Sequence, residues 1–270
     1  MPFIHDKSPL FDYSVIPKWA RLLAQLLLML VSILCSINTS MSVAEPLTLT
    51  LAAEDSWPPF ADDVGSGISH NLIKQAFKQV DVAVSTVVVP YSRGLFMAER
   101  GTVDGVFNVT REQSTVERFV FGEQPLFTVT ASFFFAKEYP TVANNKWQLP
   151  MRSTIGIVDG YEYGDQFIAL VEQRKLHILR VKSQRQLINL LLVGRIDTAI
   201  MFDRVAEVYI KQLGVNQDIQ AKFSNHKSEI FVAFAKQNPQ AKHFSQLLDK
   251  GLLMLQKQGR YEPLLLPSHD

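Results

Sequence analysis

The chain has 270 residues, with 27 Lys and Arg against 26 Asp and Glu, and a formal net charge of +1. That balance offers no electrostatic ground for nucleic acid or for an anionic membrane surface. A lone cysteine, Cys35, excludes a disulfide framework and a thiolate metal site, and the six histidines show no HxxxH or HxH spacing, so no metal or other cofactor is expected.

Residues 1–44 read as a secretory leader. Lys18 and Arg21 precede an apolar run from Leu22 to Ile37, and Ser42-Val43-Ala44 follows. Basic flank, apolar core and a small-x-small site are the order of a cleaved signal. Cleavage is expected after Ala44, which would remove Cys35 and leave a soluble periplasmic protein. A retained anchor competes with this reading, but a span needs roughly 20 apolar residues, and this run is shorter and carries Gln25 and Ser32.

Leu47 to Ala53 alternates as a strand does. Glu54 to Phe60 follows as a loop that Pro58 and Pro59 keep out of regular structure, holding Trp57 and Phe60 beside Asp55. Ser69 reads as the N-cap of a helix with Leu72, Ile73, Ala76, Phe77 and Val80 on one face. Val82 to Val89 is a strand stopped by Pro90, Tyr91-Ser92-Arg93 leads into a short helix from Gly94 to Arg100, and Asp104 to Val109 is the next strand. It runs out into the polar groups Asn108, Thr110 and Arg111. A short extended piece follows at Phe119 to Phe121, and a longer strand at Thr128 to Ala136.

A second series starts at Thr154. It has a strand to Val158, a glycine turn at Gly160, a helix entered near Tyr163, and a strand from His177 to Val181. A helix from Ser183 to Val193, a strand from Thr198 to Phe202 and a helix from Arg204 to Leu213 come next. Ile219 to Phe223 and Glu229 to Ala235 are further strands, and an amphipathic helix from about Gln240 to Gln258 closes the chain. Strands alternating with helices argue for mainly parallel sheets covered by helices, here in two α/β lobes. Gly101-Thr-Val-Asp104 and Gly194-Arg-Ile-Asp197 occupy equivalent places in the two series, where Asp104 and Asp197 read as turn and capping residues.

Ligands of open α/β sheets bind beyond the carboxyl ends of the strands. Those ends carry Asp55, Trp57, Phe60, Tyr91, Arg93, Asn108, Thr110 and Arg111 in the first lobe. The second offers Gly160, Tyr161, Tyr163, Phe202 and Asp203. A strand that ends in a glycine turn and opens a helix aims N–H groups at an anion, so Gly160 should allow close backbone approach. Tyr161 should face the ligand, and Glu162 should point to solvent.

The order of these motifs resembles the extracellular solute-binding proteins of family three, the polar amino-acid binding proteins that serve ABC importers. The carriers are Trp57-Pro58-Pro59-Phe60, Pro90-Tyr91-Ser92-Arg93-Gly94-Leu95, Gly101 to Phe107, Glu117-Arg118, Phe121 to Leu126, Gly156 to Gly164, Gly194 to Asp197 with Asp203, and Leu255 to Tyr261. The resemblance implies a two-lobe periplasmic binding protein type II fold, mainly parallel sheets with helices on both faces, and two hinge strands matched by Phe133 to Ala136 and Phe231 to Ala235. Its divisions are residues 45–136 for the first part of lobe one, 137–230 for lobe two, and 231–270 for the hinge return and the C-terminal helix of lobe one.

It further implies a monomer that traps an amino acid or small carboxylate between lobes closing by hinge motion, with an ABC permease or a membrane sensor as partner. The arginine that grips a ligand carboxylate in that family falls here on Thr115. Arg111 or Arg118 flanks that position, Arg93 could replace it, and Asp203 matches the residue that pairs with a ligand ammonium. Two other readings remain open. An enzyme of the same fold, dehydratase-like, would need a buried acid or base with a tuned pKa among Glu54, Asp55, Glu162 and Asp203. A free-standing protein could instead present its ligand to a membrane sensor.

Overall fold

The computed structural model describes residues 17–36 and 47–266. Helix α1 (Lys18–Ser36) belongs to a separate N-terminal unit. The side chains of Leu22, Leu26 and Leu27 are exposed on it. No described helix is long and apolar enough to cross a membrane, and the expected cleavage point after Ala44 lies outside the described residues.

In the second unit the first lobe begins with β1 (Leu47–Glu54) and a small hairpin, β2 (Ser56–Trp57) with β3 (Ala61–Asp62). Then come α2 (Ile68–Lys78), β4 (Val82–Val89), α3 (Tyr91–Glu99), β5 (Gly105–Thr110), α4 (Gln113–Val116), β6 (Phe119–Phe121) and the long β7 (Phe127–Ala136). The second lobe holds β8 (Thr154–Val158), α5 (Phe167–Arg174), β9 (His177–Val181), α6 (Gln184–Leu192), β10 (Thr198–Phe202) and α7 (Asp203–Leu213). The chain returns along β11 (Ile219–Ala235) to α8 (Ala241–Lys257) and α9 (Tyr261–Leu264).

Nine strands join in the order β4-β1-β5-β11-β7-β10-β8-β9, with β6 paired to β11. Within each lobe the pairings are parallel, β4-β1-β5 and β10-β8-β9. Within this sheet every antiparallel pairing of the described residues involves β7 or β11. These two are the crossing strands. Ile230 to Phe234 of β11 pair with β5 of lobe one, and Ala131 to Phe134 of β7 pair with β10 of lobe two. The crossover therefore falls at Thr128–Thr130 and Lys227–Glu229, whose partners are each other. Phe133 to Ala136 and Phe231 to Ala235, expected as the hinge strands, lie past it on opposite sides.

The strand expected to break after Phe223 is continuous to Ala235, with register shifts near Ala221/Phe223 and Ser224/His226. The polar stretch at its centre reads as a loop, yet it is held by pairing with β7. Helix α2 is capped by Gly67 rather than Ser69, whose hydroxyl donates to Asn108 Oδ1 at 2.5 Å. Helix α3 begins at Tyr91 because Pro90 supplies its N-cap backbone.

The lobes repeat one device. Asp104 Oδ2 accepts from Thr50 N at 2.8 Å and Asp197 Oδ2 from Thr154 N at 2.7 Å, while the two aspartate N–H groups donate back to Thr50 O and Thr154 O. Each aspartate thus pins its lobe's first strand at long range, where the sequence reading expects a local turn or cap. Helix α8 packs on α2 in lobe one so closely that a Cβ on Gly251 would stand 2.1 Å from Ala76 O.

Candidate functional site

Strand β1 ends at Glu54, α3 opens at Tyr91, and β5 runs out through Thr110 to Glu112. Facing them is the turn after β8, from Gly160 to Gly164. The sequence expects Glu162 to point to solvent, but the structure turns it into lobe one. Tyr91 Oη donates to Glu162 Oε2 at 2.7 Å and Thr110 Oγ1 donates to the same oxygen at 3.3 Å. Tyr161 Oη donates to Glu54 across the same gap, and the Tyr91 and Tyr161 rings meet edge to face at 5.3 Å. Further along, Gly164 N donates to Glu112 Oε1 at 3.0 Å and Gln113 N to Asp165 Oδ1 at 3.2 Å. Gly160, at φ 82, brings its backbone against Ser92, where a Cβ would sit 3.0 Å from that side chain. The close approach expected of Gly160 is therefore made to the other lobe.

Besides the exposed Asp165, three carboxyls line this contact. Burial above all pushes Glu54 up to about 8; Asp55 and Glu162 add to the shift, and the Tyr161 bond opposes it. Glu162 and Glu112 are each pushed up to about 7, again mainly by burial. Burial and the neighbouring carboxyls push the phenols of Tyr91 and Tyr161 well above their usual range, so both stay protonated donors. His226 lies 3.8 Å from Glu112 Oε1, within ion-pair reach. Its ring is nevertheless neutral, because burial, then Lys146, push it down to about 4. Asn225 Nδ2 reaches both Tyr163 O at 2.8 Å and His226 Nδ1 at 2.9 Å. Donating one hydrogen to each makes Nδ1 the acceptor and leaves the ring proton on Nε2, which is buried without a partner.

The other expected site residues sit as follows. Trp57 and Phe60 are 1% exposed, packed with Phe127 at the lobe junction, where Trp57 meets Phe202 edge-on at 5.2 Å. Phe202 in turn lies 6.2 Å from Tyr161. Asp55 is half-buried and accepts from Ser56 Oγ. Asn108, buried at φ 65, keeps Nδ2 unpartnered. Tyr163 turns its hydroxyl to its own strand, accepting from Val158 N at 2.7 Å and donating to Val158 O at 3.0 Å. Asp203 opens α7 and lines a surface cavity with Phe134, Ile210 and Ile219.

None of the three arginines makes a hydrogen bond to the three carboxyls. Arg93 is exposed on α3. Arg111 donates to Gly122 O and lies over Phe231, while Arg118 is held at 2.5 Å by Glu99 over Phe119. Thr115 is buried and builds the α4 cap with Glu112.

Sequence reasoning missed Glu112 and His226. Glu112 follows β5 by two residues, and the strand-end rule that selected Asn108, Thr110 and Arg111 reaches it. His226 had no such signal, because its segment read as a break between strands.

No family model matches the chain, and no curated protein matches it in sequence. Solved structures do match. An ancestral arginine-binding protein bound to arginine is 19% identical, with a TM-score of 0.69 over 80% of this chain and 96% of its own. A histidine kinase sensor domain similar to periplasmic binding proteins is 17% identical, with a TM-score of 0.69 over 80% and 93%. An ancestral amino acid-binding protein, a precursor of cyclohexadienyl dehydratase, is 17% identical, with a TM-score of 0.65 over 80% and 93%. The fold is thus the two-lobe α/β architecture of periplasmic binding proteins, and at these identities the likeness speaks for the fold alone.

Proposed function

We propose that this is a periplasmic solute-binding protein that holds a small polar ligand between its lobes, through a group of positive charge, and delivers it to an ABC permease or a membrane sensor. The observation that carries the reading is the facing set of Glu54, Glu112 and Glu162 with the rings of Tyr91 and Tyr161. Buried carboxyls call for a paired cation, and tyrosine faces favour one electrostatically. Arg111 and Arg118 have partners elsewhere, which weighs against a ligand held by its carboxylate alone and favours an ammonium or guanidinium group, as in an amino acid or amine. The leader-like N-terminus supports export, and the fold supports capture by lobe closure.

The test is a thermal-shift panel of amino acids, amines and small carboxylates on protein freed of co-purified ligand. A cation-bearing solute should raise the melting temperature, and Glu54→Gln or Glu162→Gln should reduce that rise. No response to any of these solutes would sink the proposal.

A dehydratase-like enzyme is the second reading, favoured by one observation. Glu54 and Glu162 are buried carboxyls pushed toward neutral pH, as a general acid requires. Ligand turnover followed by NMR separates this from binding, which returns the ligand unchanged.

A further inference from the structure

The lobes touch through carboxyls, and each carboxyl belongs to one lobe while its partner belongs to the other. Glu54 of β1 receives Tyr161 Oη, and Glu162 of the second lobe receives Tyr91 Oη and Thr110 Oγ1. Glu112 receives Gly164 N and faces His226 of the crossing strand. The charges around them are mostly of one sign. Glu54 has Asp55 next to it in the chain and Glu162 across the gap, and the neutral phenols of Tyr91 and, from α7, Tyr209 also lie in range. Glu162 feels Glu112, and Glu112 feels Asp165. The positive charge that reaches Glu162 is that of Arg118, which Glu99 already engages. His226 faces Glu112 as a neutral ring, and the charge of Lys146 disfavours its protonation.

We propose that closure of the two lobes is a proton-linked latch: the ligand-free lobes stay shut while Glu54, Glu112 and Glu162 hold protons, and part when these carboxyls ionise. A protonated carboxyl keeps one oxygen free to accept from the phenol or N–H across the gap, so the cross-lobe bonds survive protonation. Ionisation keeps the acceptor but places like charges together in a dry contact, and separation into water relieves both the desolvation and the repulsion. The carboxyls bind protons more tightly when shut than when open. Closure is therefore favoured at low pH and lost as pH rises through the values of the shut state, about 7 for Glu112 and Glu162 and about 8 for Glu54. The crossover at Thr128–Thr130 and Lys227–Glu229 is where the motion would be absorbed, since there the two crossing strands pair with each other.

The experiment reads the distance between lobes with no ligand present, so it stands apart from any failure of the ligand assignment. Donor and acceptor dyes are placed at Lys78→Cys on α2 and Lys182→Cys after β9, both exposed, in the full chain carrying Cys35→Ser. Transfer efficiency should be high at pH 5.5 and fall between pH 7 and 8. The triple variant Glu54→Gln, Glu112→Gln, Glu162→Gln should stay at the acid value throughout. An efficiency unchanged from pH 5.5 to 9, or a triple variant that opens over the same range, overturns the latch. If circular dichroism shows the triple variant unfolded, Glu162→Gln alone decides: a midpoint raised by about 0.5 pH unit or more supports the coupling, and an unmoved midpoint contradicts it.

Discussion

Tyr163 and Gly160 show how residues of one turn divide the work. The Tyr163 hydroxyl both accepts from and donates to Val158, tying the turn to the strand it leaves. Tyr163→Phe should cost about 1–3 kcal/mol in urea unfolding, since it leaves a buried backbone pair unmatched, and it should leave ligand affinity close to wild type. Gly160 is the opposite case. At φ 82 and against Ser92, a valine is strained and wedges the lobes apart. Gly160→Val should weaken ligand binding about tenfold or more, roughly 1.4 kcal/mol, by calorimetric titration, and the backbone strain should lower stability in urea by about 1–3 kcal/mol. Both roles hang on the glycine turn, which the sequence displays openly. The direction of Glu162 was not legible. Its neighbours are aromatic and small, and a glutamate in a turn is ordinarily solvated. Only the apposition of Tyr91 and Thr110, about fifty to seventy positions away, turns it inward.

Among the elements, those with a strong local period came through from sequence: β1, β4, α6, β10, α7 and α8 lie within a few residues of their expected places. The failures have local causes. Helix α5 starts at Phe167 rather than near Tyr163, because Gly164 at φ 86 takes the chain out of helical geometry first. The centre of β11 lacks an alternating apolar pattern and is held by β7, a partner far away in sequence. The position of the crossover followed from that error, since a strand read as two pieces has no visible middle. The paired aspartates were legible because the lobes repeat them. Each of Asp104→Ala and Asp197→Ala should lower stability by about 1–3 kcal/mol by removing the acceptor of a strand N–H. The double variant should equal their sum within about 0.5 kcal/mol, since they share no partner. A clear excess over the sum in denaturant titrations would mean that the lobes unfold as one coupled piece through these corners.

For the molecule as a whole, the proposed function makes the balance of charge at the lobe contact decisive for both stability and recognition. Raising Glu54 from 4.5 to about 8 disfavours its charged form on the order of 5 kcal/mol, comparable to the whole stability of a typical domain. The sign follows from linkage. The folded, shut form binds these protons more tightly than the unfolded chain, so the contribution is fully present below the ordinary carboxyl range near 4.5. It is lost as pH rises through about 7 to 8. The melting temperature of ligand-free protein should therefore fall between pH 5.5 and 8.5, and Glu54→Gln with Glu162→Gln should flatten that fall. In the proposed function a bound cation would supply the missing countercharge and reverse the preference, since it would bind the ionised carboxyls. The direct test of this account is calorimetric titration of the best thermal-shift hit at pH 6 and pH 8, repeated in buffers of different ionisation enthalpy. The account predicts binding of one cation-bearing solute, tighter at pH 8, with net proton release at pH 6. Binding confined to anions that lack an ammonium or guanidinium group, or affinity that weakens toward pH 8 with proton uptake, would contradict it.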